Sequence, residues 1–301
     1  MVIAPARARR PGADRPAVEE PDDVVACPFC EGRESATPPE TFALGPPGRP
    51  ADAPGWRVRV VPNKFPAFGP WSSEGDRTGL FARRAARGRQ EVVVHSPRHA
   101  RTLADLSLRE LEYVAEAWQA RAAAAREDGF GYVQALVNEG RAAGASLQHS
   151  HSQLVWLEER PPLVEQEVRT QEAEGGCVLC RVLADELRHR MRVVSERDGL
   201  VLLCPFAGRQ PYEMLVAPRE CKTDAFTSPD LGAALGLVAD GIRRLRIAEG
   251  PTPVNTWLHA AGHWHFEVVP RLTVLAGLEL GAGYFVNTLA PESAAGVLRE
   301  S

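Results

Sequence analysis

The chain has 301 residues, 44% apolar and 25% charged, enough for one large domain or two modest ones with real cores. Its 35 basic and 39 acidic residues leave a formal charge of −4 and a pI near 6.1, which excludes a nucleic-acid binder working by bulk electrostatics. No apolar run approaches the ~20 residues of a membrane-spanning helix, and the segment from Leu231 to Ala239 stops at Asp240. The opening residues carry Arg and Pro where a secretion signal needs an apolar stretch, so a cytoplasmic protein is expected.

Residues 1–24 hold Pro5, Pro11, Pro16 and Pro21 and read as an extended arm. Residues 36–55 and 69–90 read as loops, and residues 56–61 and 91–95 as strands. Ser107 and Glu110 form a capping box that opens a helix running to about Ala125. Strands are expected at 131–137 and 149–157, with a Gly/Ala/Ser loop between them. The second half repeats this order, with strands at 200–204 and 212–218, a helix from Ser228-Pro229 to about Arg246, and strands at 256–259 and 263–269. A short helix starts at Pro291. The expected fold is α+β: two tandem units, residues 1–160 and 161–301, each an antiparallel sheet with a packed helix.

Four of the six cysteines form two CxxC pairs, Cys27/Cys30 and Cys177/Cys180, placed 150 residues apart. In a reducing compartment such pairs read as metal or redox sites rather than disulfides. The Pro-Phe interior of the first pair, with no preceding βα signature, weighs against redox chemistry. A tetrahedral Zn²⁺ needs two more ligands, and His95, His99, His149 and His151 are available in the same half.

The segment from Asn138 to Gln153 carries the most chemistry. Strand alternation puts His149, His151 and Gln153 on one face and Ser150 and Ser152 on the other. The preceding loop holds Gly140, Gly144 and Ser146, which let backbone N–H groups and a hydroxyl close on an anion. An imidazole beside such a loop suits attack on phosphorus. The competing reading is a pair of core histidines beside a tight turn.

These residues resemble the galactose-1-phosphate uridylyltransferase family, a two-repeat branch of the histidine-triad superfamily. The resemblance runs through residues 2–11 with Arg7 and Arg10, the CPFC motif, VPNKFPAF at 61–68, SPRH at 96–99, NEGRAAGASLQHSHSQ at 138–153, HWHFEVVPRL at 263–272 and residues 281–299. It implies that Cys27, Cys30, His99 and His149 hold zinc, and that His151 is a nucleophile that becomes covalently nucleotidylated. It implies that Gln153 hydrogen-bonds the transferred phosphoryl group. Asn138, Gly144 and Ser146 would line the phosphate site, Arg7 and Arg10 would spread its charge, and Asn63 and Phe65 would sit near the nucleoside. Ser150 replaces the family's usual Pro between the histidines. An upstream strand common in the family is missing, so an earlier start is expected. Related hydrolases have a third His where Gln153 stands; an amide cannot do acid–base work, so the resemblance implies transfer rather than hydrolysis.

Superposing the two halves matches His99 with Cys221 and His149 with His263. This gives a second zinc set, Cys177, Cys180, Cys221 and His263. The alternatives are that Cys221 is incidental, or that His259, His263 and His265 form an iron-type site with a Glu, as in some family members. Only HAAGHW precedes His265, too short to wrap a phosphate, so chemistry falls to the first half and sugar contacts to the second. Tyr284 and Phe285 stand nearest the place where the family has a hexose-binding Tyr-Glu pair. Cys204 reads as a buried thiol, Trp118 and Tyr113 as core, and Arg243, Arg244 and Arg246 as a solvated helix end.

The expected activity is a ping-pong exchange of UMP between UDP-glucose and galactose 1-phosphate by a homodimer. The alternative within the class is an ADP-glucose phosphorylase or adenylyltransferase with phosphate or another sugar phosphate as acceptor. The alternative outside it is a non-catalytic, zinc-stapled nucleotide-binding protein. Neither nucleic acid nor membrane is an expected partner.

Overall fold

Alternating apolar and polar residues build one large antiparallel sheet from both halves of the chain. A computed structural model describes residues 24–70 and 76–301, so the expected roles of Arg7 and Arg10 lie outside the described residues. The first half contributes β1 (Phe42–Leu44), β2 (Val58–Pro62), a separate hairpin of β3 (Asp76–Thr78) and β4 (Phe81–Arg83), β5 (Gly88–Val94), α1 (Leu108–Glu127), β6 (Tyr132–Glu139) and β7 (His151–Leu157). The second contributes α2 (Pro162–Ala173), α3 (Val178–His189), β8 (Val193–Arg197), β9 (Leu200–Leu203), β10 (Met214–Pro218), α4 (Leu231–Glu249), β11 (Val254–His259), β12 (His265–Pro270), α5 (Gly277–Ala282) and α6 (Pro291–Glu300). The ten strands run β1-β2-β5-β7-β6-β11-β12-β10-β9-β8, and the halves join where β6 pairs with β11.

Register gives the sheet two unlike faces. Val60, Val93, Val137, Leu154, Leu258 and Phe266 lie on the buried face, in one core cluster with residues of α1 and α4. Trp118 of α1 lies 6.2 Å from the Phe266 ring and donates its indole N–H to Ser152 Oγ at 2.8 Å. A helix of the first half thus grips strands of both halves. Burial of each large apolar side chain contributes ~1.5–3 kcal/mol. Gln90, Asn138, His151, Gln153, Asn255, His259, His265 and Glu267 share the opposite face. A one-residue slip would send all of them into the core, so the apolar face fixes the position of every polar residue opposite.

Several boundaries differ from expectation. β7 begins at His151, so His149 and Ser150 precede the strand rather than form part of it. α4 begins at Leu231 instead of at Pro229, after a preceding turn over Ala225–Thr227. Helices α2 and α3 and strand β8 were not expected. Arg243 and Arg246 are not a solvated end: Arg243 donates to the carbonyls of Ala104 and Leu106 at 2.9 and 3.0 Å, and Arg246 pairs with Asp105 at 2.8 Å. They tie α4 to the turn before α1.

Glu139 sits beside Asn138 with its side chain buried among core elements; one oxygen accepts the Leu103 N–H at 2.6 Å. Burial pushes its carboxyl up to about 7, against the pull of that N–H and of Arg246. Folding therefore favours the protonated acid, and this contribution fades as pH rises from the ordinary 4.5 through about 7. Glu139→Gln should gain stability over the parent between about pH 5 and about pH 8, by at most ~3 kcal/mol. Thermal unfolding at both pH values measures this; a difference independent of pH contradicts it.

Candidate active site and metal clusters

The loop carrying the first CxxC is pinned by a buried guanidinium. Arg59 on β2 pairs with Glu40 at 3.0 Å and with Asp52, and donates to Thr37 Oγ1 at 2.7 Å. Glu34 accepts the Trp56 indole N–H at 2.8 Å. The ligand atoms of Cys27 and Cys30 on this loop, His99 after β5 and His149 before β7 all lie within 4.8 Å of one another. His149 Nε2 lies 2.8 Å from Ser96 O, which can only accept, so the proton is on Nε2 and Nδ1 faces the sulfurs as a lone pair. Nδ1 of His149 is 3.5 Å from Cys27 Sγ, and Nδ1 of His99 is 3.3 Å from Cys30 Sγ. A tetrahedron with bonds of ~2.0–2.3 Å has edges of roughly 3.3–3.8 Å. The donor set therefore fits a zinc ion with no open position.

The second half repeats the construction with Cys177, Cys180, Cys221 and His263. His263 Nε2 lies 2.7 Å from Pro218 O, and its Nδ1 is 3.3 Å from Cys177 Sγ and 3.4 Å from Cys180 Sγ. Burial and the neighbouring thiols of Cys177 and Cys221 push Cys180 up to about 12. Crowded thiols of this kind release their protons when a divalent cation binds. His263 thus does not share a site with His259 and His265, as the iron-type alternative required. Those two rings face Glu167 of α2 and Glu267, forming a third cluster. His259 Nδ1 meets Glu167 Oε1 at 2.9 Å, and Arg209 bridges Glu267 and Glu213. Burial opposes ionisation of Glu267, but the His265 bond and the Arg209 charge hold it at about 2.

His151 is held by its neighbour's backbone. Its Nδ1 lies 2.7 Å from His149 O, so Nδ1 carries the proton and Nε2 keeps its lone pair. Burial lowers its pKa, against that hydrogen bond, which favours the neutral ring. Phe29, between the two cysteines, packs edge-on to the His151 ring at 5.3 Å. Ser150 turns away to His95 Nδ1 at 2.9 Å, as strand alternation requires. Gln153 accepts through Oε1 from Gln90 Nε2 at 2.6 Å and from Asn63 Nδ2 at 3.5 Å. Asn63 Oδ1 in turn accepts the Phe65 N–H at 2.9 Å. Asn63 and Phe65 therefore flank the polar face beside Gln153.

The loop before His149 turns on two glycines. Gly140 has φ +80° and a side chain there would strike Pro253; Gly144, at φ +87°, ends a short turn over Arg141–Ala143. Ser146 follows, half-buried. Asn255, across the seam, donates to Asn138 Oδ1 and to Ala143 O, both at 2.8 Å. Sequence reading missed Asn255, Gln90 and Phe29. The first two meet their partners only through strand register, whereas Phe29 was visible inside the CxxC itself. Tyr284 and Phe285 stay on the surface, 71% and 47% exposed, outside this cluster.

A family profile described as "Galactose-1-phosphate uridyl transferase, N-terminal domain" matches residues 57–162, and a "Domain of unknown function (DUF4921)" matches residues 110–299. The ADP-glucose phosphorylase of Arabidopsis thaliana is 30% identical over all of this chain and 89% of its own length. The galactose-1-phosphate uridylyltransferase of Thermotoga maritima is 28% identical over 74% of this chain and 77% of its own length. The Arabidopsis thaliana ADP-glucose phosphorylase solved with bound ADP-glucose superposes with TM-score 0.77 at 28% identity, covering 94% of this chain and 92% of that one. A solved uridylyltransferase gives TM-score 0.78 at 27% identity, covering 95% and 94%.

The two cysteine-containing sets lead to a count. Metal analysis of protein purified without chelator should give about two zinc ions per chain, falling to about one in Cys221→Ala. A single equivalent in the parent, or two retained in the variant, contradicts it.

Proposed function

We propose a function from one premise: the chain belongs to the galactose-1-phosphate uridylyltransferase family of the histidine-triad superfamily, and it is an enzyme of transferase type. The reading is nucleotidyl transfer between sugar phosphates through a covalent intermediate on His151. One observation carries it: the bond from His151 Nδ1 to His149 O leaves a neutral imidazole with its Nε2 lone pair available beside Gln153.

In this reading Nε2 attacks the α-phosphorus of a nucleoside diphosphate sugar, and the P–O bond to the sugar phosphate breaks. The incoming phosphate or sugar phosphate then attacks the same phosphorus and frees the imidazole. The covalent stage divides one exchange between two anions into two similar steps. The Gln153 amide donates to the phosphoryl oxygen, while Ser146 and the Gly140–Gly144 turn hold the remaining oxygens. Bound zinc supplies a fixed point, and the His149 backbone set there carries the carbonyl that orients the nucleophile. With Gln in place of a base at 153, water is not activated.

Two donors fit. UDP-glucose with a hexose 1-phosphate acceptor matches the uridylyltransferase relatives; ADP-glucose with phosphate matches the ADP-glucose phosphorylase relative, and relatives of both kinds align along the whole chain. A cytoplasmic homodimer belongs to the same reading.

Incubating the protein with each donor, radiolabelled at the α-phosphate, should give acid-labile label that acceptor removes. His151→Ala should abolish labelling while keeping both metals; undiminished label in that variant sinks the assignment. Crossing both donors against galactose 1-phosphate, glucose 1-phosphate and phosphate names the substrate pair. Gln153→His should raise donor hydrolysis in the absence of acceptor, and an unchanged rate counts against the argument from the missing base.

A further inference from the structure

We propose that Gln90 is a positioning residue that sets which end of the Gln153 carboxamide faces the transferred phosphoryl group. The inference rests on the reading of His151 and Gln153 above. The two ends of a carboxamide are alike in shape, so only its partners decide which way it points. Here the decision starts from a backbone group. The Ala67 N–H can only donate, and it lies 2.7 Å from Gln90, so the Gln90 atom there is Oε1. That leaves Gln90 Nε2 to donate toward Gln153 at 2.6 Å, and the Gln153 atom receiving it is Oε1. The Gln153 Nε2 is thereby committed to the other direction, as a donor.

The orientation matters because a phosphoryl oxygen only accepts. With the amide reversed, a carbonyl dipole would face the anion, and one transition-state donor would become a repulsion. Asn63 supports the same orientation. The Phe65 N–H fixes its Oδ1 at 2.9 Å, and its Nδ2 reaches Gln153 Oε1 only at 3.5 Å. The Gln90 bond is shorter by 0.9 Å and Gln90 is 7% exposed, so Gln90 dominates. Sheet register makes the contact possible. Val92 sits opposite Gln153 and Gln90 opposite Val155, so the two glutamines are diagonal neighbours on one face, within reach of long side chains. Both anchoring amides, Phe65 and Ala67, belong to the segment that follows β2. The backbone of that segment therefore dictates the polarity of a side chain two strands away.

The test uses Gln90→Glu. It keeps the shape and the acceptor for the Ala67 N–H but cannot donate as a carboxylate, so Gln153 turns its Nε2 toward residue 90. At about pH 8, single-turnover labelling by α-radiolabelled UDP-glucose or ADP-glucose, whichever labels the parent, should slow by ~10²-fold. Gln90→Leu removes the orienting bond without reversing it and carries no buried charge; it should slow labelling by only ~10-fold, with metal content unchanged. In a Gln153→Ala background Gln90→Glu should change the rate by less than about twofold, because the group it acts through is gone. A merely structural role for Gln90 predicts the same loss in both backgrounds, and that result overturns the proposal. So does Gln90→Glu labelling at the parent rate. A parent that takes no label from either donor overturns the reading of the site, and this proposal with it.

Discussion

A carbonyl oxygen only accepts a hydrogen bond and a backbone N–H only donates, and the polar face of this sheet is organised by that one-way rule. A histidine has two tautomers and an amide two flips, and at six of these side chains a backbone group removes the choice. Ser96 O fixes His149, His149 O fixes His151, Pro218 O fixes His263, and His263 O fixes His265 at 3.0 Å. The N–H groups of Phe65 and Ala67 fix Asn63 and Gln90. The site is ordered by its main chain before any ligand arrives, which is the preorganisation that phosphoryl chemistry exploits.

The two halves use the same rule to different ends. In the first, the ring oriented by its neighbour's carbonyl stands next to an amide, behind a glycine turn. In the second, His265 stands next to Glu267, whose charge is met by Arg209, and only a short turn through Gly262 precedes it. Burial favours a neutral His265 ring, but Glu267 and Glu167 raise its pKa nonetheless, whereas no carboxylate opposes burial at His151. The same backbone geometry thus carries a ring beside an amide in one half and an ion-pair network in the other.

The sequence made the strands and clusters legible where local pattern and spacing coincide. Alternation in β6, β7 and β12 and the capping box of α1 needed no tertiary information. The first CxxC set was completed from the family resemblance, and the second by aligning the halves. What escaped depended on contacts between distant segments. The α3 start is hidden because its N-cap is Cys177 itself, whose sulfur accepts the Cys180 N–H at 3.3 Å. Arg243 looked like an exposed charge because nothing local shows that two carbonyls of a distant turn lie above it. Gln90 sat in a segment read as loop, and its importance appears only once β5 is placed in register beside β7.

The β6–β11 seam constrains how such a chain can drift over generations. The amide of Asn255 holds Ala143 O and Asn138 in the other half while lying across the seam from the His151 strand. A descendant that shed everything after residue 160 would lose that amide and bare the edge of β6, an open template for pairing with other chains. The second half is therefore a wall and a brace for the Gly140–Gly144 turn of the first.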